Sequence, residues 1–193
     1  MRIKFLQDFI DILRGKRRLS DLEYFKSYLY NYWITNFPSC TVRHWYLRSI
    51  LGYKIGKGSF VHLGCYFYGK NIEIGEDTVI GRDVTLSGNI KIGKHCSITA
   101  KTFIQTSSHI LNSPLFEVCD SNLEIGNWVW VGVRSVFVPG VEYIKDGAVV
   151  GANSTVTKNV EFCSVVAGSP AREIKKRDPK ALKYEQCYMP KWN

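Results

Sequence analysis

Large aliphatic or phenylalanine side chains recur every six residues along most of this chain. They stand at Ile55, Val61 and Phe67, at Ile74, Ile80, Leu86, Ile92, Ile98 and Ile104, at Ile125, Val131 and Phe137, and at Ile144, Val150, Val156 and Phe162. Four residues after most of them comes a small or β-branched residue: Ser59, Cys65, Thr78, Val84, Cys96, Thr102, Ser108, Val129, Ser135, Ala148 and Ser154. Gly often follows the aliphatic directly, as at Gly75, Gly81, Gly93, Gly126, Gly132 and Gly151. A period of six fits neither an α-helix nor a hairpin sheet. It predicts a parallel β-helix, in which each hexad supplies one short strand and a turn, and three hexads close a coil. The large residue points into a narrow triangular core, the small one packs near a corner, and Gly relieves the bend. The sixteen register positions make a little over five coils stacked about 4.8 Å apart. Neighbouring coils bury one another, although no single coil could fold alone.

The register slips in three places. One extra residue falls between Phe67 and Ile74, and another between Phe137 and Ile144, around Glu142 and Tyr143. A long excursion, roughly 110–123 and containing Pro114, separates Ile104 from Ile125. Loops that leave a rigid repeat are favoured places for binding residues, so this excursion is the foremost candidate.

The hexads start only near residue 52. Before them the periodicity is helical, and three parts are expected: a helical cap over 1–51, the β-helix over 52–170 and a basic C-terminal tail over 171–193. Ile3, Leu6, Phe9, Ile10 and Leu13 share one helical face, and Ser20-Asp21-Leu22-Glu23 reads as a capping box. An aromatic stripe follows at Phe25, Tyr28, Leu29, Tyr32 and Trp33, then an amphipathic stretch over 40–51 with Trp45, Tyr46, Ile50 and Leu51. Such helices can cover the first coil, whose backbone edge is otherwise unpaired. They can also rest a basic, aromatic surface on an anionic membrane. The two readings are compatible.

Charge sharpens this division. Residues 1–50 carry nine basic and four acidic groups, residues 51–170 ten of each, and residues 171–193 seven basic and three acidic. The ends therefore supply the whole net charge of +9. A nucleic-acid binder would place a basic stripe along the repeat. No run of eighteen apolar residues predicts a membrane span, and the charged N-terminal stretch does not read as a secretory signal. The six cysteines, at 40, 65, 96, 119, 163 and 187, show no CxxC spacing. Cys65 and Cys96 occupy small-residue positions, so they read as core filler in a reducing compartment. A cytoplasmic location is expected, with the inner membrane face as a further possibility.

Candidate chemistry starts with the histidines at 44, 62, 95 and 109. His62 and His95 fall on outward turns, where a solvated ring is the default. His109 ends Gln105-Thr106-Ser107-Ser108-His109, the last regular hexad before the excursion. An imidazole at the mouth of a loop on a rigid coil is well placed as a general base; position alone leaves it open to be an ordinary surface histidine. A three-histidine metal site of the carbonic-anhydrase type is not indicated, since His62, His95 and His109 lack paired ligand spacing.

The segment Ile125-Gly126-Asn127-Trp128-Val129-Trp130-Val131-Gly132, then Val138-Pro139-Gly140-Val141, then the run from Gly147 to Val160, and finally Ala167-Gly168-Ser169-Pro170-Ala171-Arg172 resemble the hexapeptide-repeat acyltransferases. The likeness extends over 40–177 and is nearest to O-acetyltransferases of bacterial polysaccharide synthesis and to the maltose and galactoside acetyltransferases. It implies a left-handed parallel β-helix with an N-terminal helical segment, a homotrimer with acyl sites between subunits, acetyl-CoA as co-substrate, and no metal. It matches His109 to the catalytic base and Trp130 to the aromatic beside thioester and acceptor. Val133, Ala152, Thr157 and Lys158 match pantetheine- and nucleotide-contacting positions, and Arg172 and Lys175 match basic residues near the CoA phosphates. The implied activity is direct transfer of an acetyl group to a sugar hydroxyl of a polysaccharide or lipid-linked glycan. No Cys or Ser nucleophile is needed.

Three positions depart from the family pattern. Ile110 stands where relatives often carry Asp directly after the catalytic His, so the orienting partner of His109 is missing from its usual place. Ser87-Gly88-Asn89 replaces an acidic or amide residue that reads the acceptor, leaving Asp83 and Asn89 as substrate candidates. Ile144-Lys145 replaces the usual Ile-Gly on the cofactor wall. An antibiotic or free-sugar acetyltransferase, or a non-catalytic β-helix scaffold, are the alternatives.

Overall fold

A computed structural model of the protein describes residues 19–69 and 71–184; the expected apolar helical face at Ile3–Leu13 and Cys187 lie outside the described residues. The hexads form a parallel β-helix of about six turns. Three sheets make its faces. The first face stacks Lys54–Ile55, Ile72–Ile74, Asn89–Ile92, Asn122–Ile125 and Tyr143–Ile144. The second stacks Phe60–Val61, Val79–Ile80, Ser97–Ile98, Trp130–Val131, Val149–Val150 and Ser164–Gly168. The third stacks Tyr66–Tyr68, Thr85–Ser87, Phe103–Gln105, Val136–Phe137 and Thr155–Val156. Register positions pair with one another from coil to coil, as in Ile55 to Ile74, Ile74 to Ile92 and Ile92 to Ile125. The ladder from Val61 to Val156 is buried throughout.

The last coil is shorter than the hexad count predicts. Val160, not Phe162, bridges to Ile144, and Val166 stacks on Val150. Phe162 is consequently exposed. Ser108 likewise leaves the core, because the chain departs from the coil after the buried Thr106. Glycine's role also differs from the expected relief of the bend. Positive φ falls three residues past the aliphatic, at Asp77, Asp83, Trp128 and Asn153 for example. Gly132 is required for closeness instead: a Cβ there would run into the backbone of Ala152 on the next coil.

The N-terminal elements cover the open edge of the first coil, whose strands have no preceding coil to bond. Helix α1 spans Leu19–Tyr32; helix α2 spans Cys40–Trp45 and runs into a π-turn, Tyr46–Ile50. On the third face, the buried Asn31 amide acts as a substitute strand: its Nδ2 donates to Phe67 O at 3.0 Å and its Oδ1 accepts from Phe67 N–H at 2.9 Å. At the next corner, the Thr35 hydroxyl donates to Cys65 O at 2.7 Å. On the second face, the fully buried Arg43 donates to Val61 O at 3.0 Å, while His44 Nε2 accepts from Val61 N–H at 3.1 Å. On the first face, Arg48 donates to Ile55 O. The face of α1 set against the coil is thus marked by Tyr30 and Asn31, not by the whole aromatic stripe; Tyr32 and Trp33 are exposed, as is Trp45 of α2.

The opposite end closes differently. The strand Ala171–Lys176 folds back antiparallel on Ser164–Gly168. The chain then follows a corner, with Arg177 donating to Trp128 O at 3.1 Å and Trp128 Nε1 donating to Tyr184 O at 3.2 Å. His95 stacks on Trp128 with ring centroids 5.3 Å apart, so it is a packed corner residue and not a solvated one. His62, half-buried, lies edge-on to Phe60.

Replacing Asn31 by Ala would leave the N–H and C=O of Phe67 unpaired in a buried place. We expect a loss of about 2–3 kcal/mol, read as a lower denaturant midpoint. Burial, and next the charges of Arg48 and Arg43, hold His44 down to about 4. As pH falls from about 6.5, the unfolded chain takes up a proton that the folded chain refuses, so stability declines until pH reaches about 4. A His44→Gln variant, whose side-chain oxygen can still accept from Val61 N–H, should show a flatter midpoint across that window.

Candidate active site

Beyond Thr106 the chain leaves the third face as a β-hairpin. Ser107–His109 pairs antiparallel with Val118–Asp120, His109 opposite Val118. The turn is tied by Ile110 N–H to Glu117 O, Ser113 N–H to Ile110 O and Phe116 N–H to Ser113 O, at 2.9, 3.0 and 3.1 Å. Its foot is anchored where Ser121 donates to Thr106 O from both backbone and side chain, at 3.1 and 2.8 Å. The hairpin therefore stands on a buried, fully bonded threonine.

This architecture orients His109. Its Nδ1 lies 2.8 Å from the carbonyl oxygen of Phe116. A carbonyl only accepts, so Nδ1 carries a proton, and in the neutral ring the Nε2 lone pair is left without one. The Phe116 ring also lies flat on the imidazole, with centroids 4.3 Å apart and planes 8° from parallel. Phe116 has φ of +48°, a conformation that a non-glycine residue adopts only under local constraint. Here it turns carbonyl and ring toward the same histidine. The partner that Ile110 cannot supply comes from seven residues downstream. Nothing in the sequence marks Phe116 for this task, because the contact exists only once the hairpin closes.

The other candidates fall into distinct places. Trp130 points outward from the second face, between Ser97 and Val149 of adjacent coils, and is 42% exposed. Val133 and Ala152 occupy the same step on successive coils, at the corner between second and third faces, where Asn153 N–H donates to Val133 O at 2.9 Å. Thr157, Lys158 and Arg172 meet around one cavity of about 190 Å³ at the C-terminal end, which Glu161 and Glu173 also border. Lys175 is paired opposite Val165 on the returning strand.

Asp83 and Asn89 are not brought together. Asp83 lies at the corner after the second face, its carboxylate against Gly64 of the coil below. Asn89 lies at the hairpin foot, where its N–H donates to Thr106 Oγ1 at 3.3 Å. There it lines a polar depression of about 750 Å³ with Asn71, Asp120, Ser121 and Asn122. Among the described residues no three His, Cys, Asp or Glu side chains cluster as metal ligands would, and no helix is long and apolar enough to cross a membrane.

A β-helix of hexad coils is the fold of a class of acyl-transferring proteins, and comparison with known proteins places the chain in that class. No family model matches the chain. A protein of Escherichia coli K12 named as a colanic acid biosynthesis acetyltransferase is 34% identical over 135 residues, 68% of this chain and 74% of that one. A maltose O-acetyltransferase from Clostridium difficile superposes with a TM-score of 0.69 at 26% identity, covering 82% of this chain and 86% of that one. A hexapeptide-repeat acetyltransferase from Vibrio cholerae, solved with acetyl coenzyme A, gives a TM-score of 0.68 at 29% identity over 81% of this chain and 86% of that one. The chain belongs to the hexapeptide-repeat acyltransferase family.

The tautomer is directly measurable. Nitrogen-15 NMR of the neutral His109 ring should show a protonated Nδ1 and an unprotonated Nε2; the opposite pattern would remove the bond to Phe116.

Proposed function

We propose that the protein is an acetyl-CoA-dependent O-acetyltransferase acting on a sugar hydroxyl of a polysaccharide or lipid-linked glycan precursor. The observation that carries this reading is His109, whose Nδ1 is bonded to the Phe116 carbonyl on the inserted hairpin, leaving Nε2 to face an acceptor. Support for donor and acceptor class comes from the relative named for colanic acid biosynthesis and from the neighbour solved with acetyl coenzyme A.

Nε2 of His109 removes the proton of the sugar hydroxyl as its oxygen attacks the thioester carbonyl carbon. The new C–O bond forms, the C–S bond breaks, and the imidazolium returns the proton to the departing thiolate. Throughout, Nδ1–H keeps its bond to the Phe116 carbonyl, which favours the transient cation as a carboxylate would, though less strongly. Backbone N–H groups hold the oxyanion. Trp130 lies beside the thioester, while Val133, Ala152, Thr157 and Lys158 follow the pantetheine and nucleotide. Arg172 and Lys175 face the phosphates, where charge-assisted bonds are strongest.

Trp130 and His109 lie on different parts of one prism, and both serve one thioester when neighbouring subunits of a homotrimer supply them. The exposed apolar hairpin residues Ile110, Leu111, Leu115 and Val118 suit burial against such a neighbour. Exposed Trp33, Phe37 and Trp45 on the N-terminal elements suit peripheral contact with the inner face of the membrane, where lipid-linked glycans are assembled.

The purified protein is expected to release CoA thiol from acetyl-CoA only when a glycan acceptor is present, leaving an acetyl ester on the sugar. His109→Ala should lower kcat by about 10²–10⁴-fold with circular dichroism unchanged. Undiminished acceptor-dependent turnover in that variant would refute the mechanism.

A further inference from the structure

One cavity takes no part in this chemistry. It measures about 440 Å³, within the usual range for small-molecule sites, and lies between α1, the residues after the π-turn and the first coil. Of the eleven tyrosines in the chain, five wall it: Tyr24, Tyr28, Tyr32, Tyr53 and Tyr68. Core packing does not account for this concentration, since Tyr24, Tyr32 and Tyr68 are 75%, 55% and 45% exposed. The Tyr28 and Tyr32 rings lie 4.5 Å apart at 32°. Tyr53 is fixed by its hydroxyl, which donates to Gly69 O at 2.6 Å. Burial, and next the Tyr32 hydroxyl, push the Tyr68 phenol up to about 12, so it remains a neutral donor.

The position of the cavity matters as much as its lining. Tyr68 pairs in register with Ser87, and Ser87 with Gln105. One residue later comes Thr106, the foot of the His109 hairpin. Tyr68, at the cavity's edge, and the foot of the hairpin therefore share one corner of the prism, two coil steps or about 10 Å apart. The ground between them is polar: Asn71 and Asn89 lie on the coils separating them, and Asp120 and Ser121 flank the hairpin foot.

We propose that the tyrosine cavity is a glycan-binding subsite that holds sugar residues of the acceptor next to the one acetylated. This rests on the glycan-acceptor reading given above. A pyranose has apolar C–H faces and polar edges, and tyrosine meets both with a flat apolar body and a hydroxyl tip. Glu23, Lys26 and Ser27 at the same cavity supply further partners for sugar hydroxyls. A hydrocarbon occupant would instead desolvate these groups without replacing their hydrogen bonds.

The test uses the full chain, acetyl-CoA and fragments of bacterial surface polysaccharides graded from monosaccharides upward. Saturation-transfer NMR should show longer fragments contacting aromatic protons. Tyr32→Ala and Tyr68→Ala should raise KM for the longer fragments by about tenfold. They should leave kcat and the monosaccharide KM unchanged, while Tyr68→Phe keeps most of the affinity and controls for folding. A KM that is independent of fragment length, or unmoved by the variants while acetyl transfer proceeds, overturns the inference and leaves the proposed activity standing. So does binding of phosphatidylglycerol vesicles that is lost in Tyr32→Ala and Tyr68→Ala, with no saturation transfer to any sugar, which would make it a lipid site. Failure of the unmodified protein to acetylate any fragment strikes the glycan-acceptor reading itself, and the subsite with it.

Discussion

Backbone hydrogen bonds between coils hold this molecule together, and they are satisfied only where a coil has a neighbour on each side. The interior of the stack settles itself, because every strand meets the same strand of the next turn. The two ends do not. At the N-terminal end the protein answers with side chains in place of backbone: Asn31, Arg43, His44 and Arg48 bond the edges of three faces. At the other end it answers with a returning antiparallel strand. Several of the buried polar side chains belong to this closure, and burial there, with the charges of Arg48 and Arg43, lowers the pKa of His44.

The same constraint explains how a regular scaffold carries an oriented histidine. Each coil must return to its register, so an insertion has to leave and re-enter within a single step. It does so by pairing with itself as a hairpin while Thr106 and Leu123 remain buried in the stack. Closure of that hairpin brings the Phe116 carbonyl under His109. The acceptor beside His109 is thus a product of local folding, standing where Ile110 offers none.

The surface is divided in its chemistry. The first face is laced with exposed ion pairs, Lys54–Glu73, Lys91–Glu124 and Lys145–Glu161. Such pairs contribute little stability in water, but they leave this face balanced in charge and poorly suited to burial. The apolar exposed groups concentrate on the hairpin and the N-terminal elements, and the polar depression that holds Asn71, Asn89 and Asp120 lies between them.

The architecture was legible in the sequence because a hexad repeat has one solution: large inward side chains recurring every six residues need a triangular coil, and Cys65, Cys96 and Ser154 fit its corners as their size demands. His109 could be singled out because it borders the longest break in that rhythm. What lay beyond reach were contacts between residues far apart in the chain. Phe116 became the partner of His109, Val160 displaced Phe162 from the last coil, Asn31 stood in for a strand, and Asp83 and Asn89 parted to different corners. Periodicity determines which side of a strand a residue faces. Only the closed structure decides which neighbours it meets there, because unpaired backbone groups at ends and insertions must find partners that repetition does not provide.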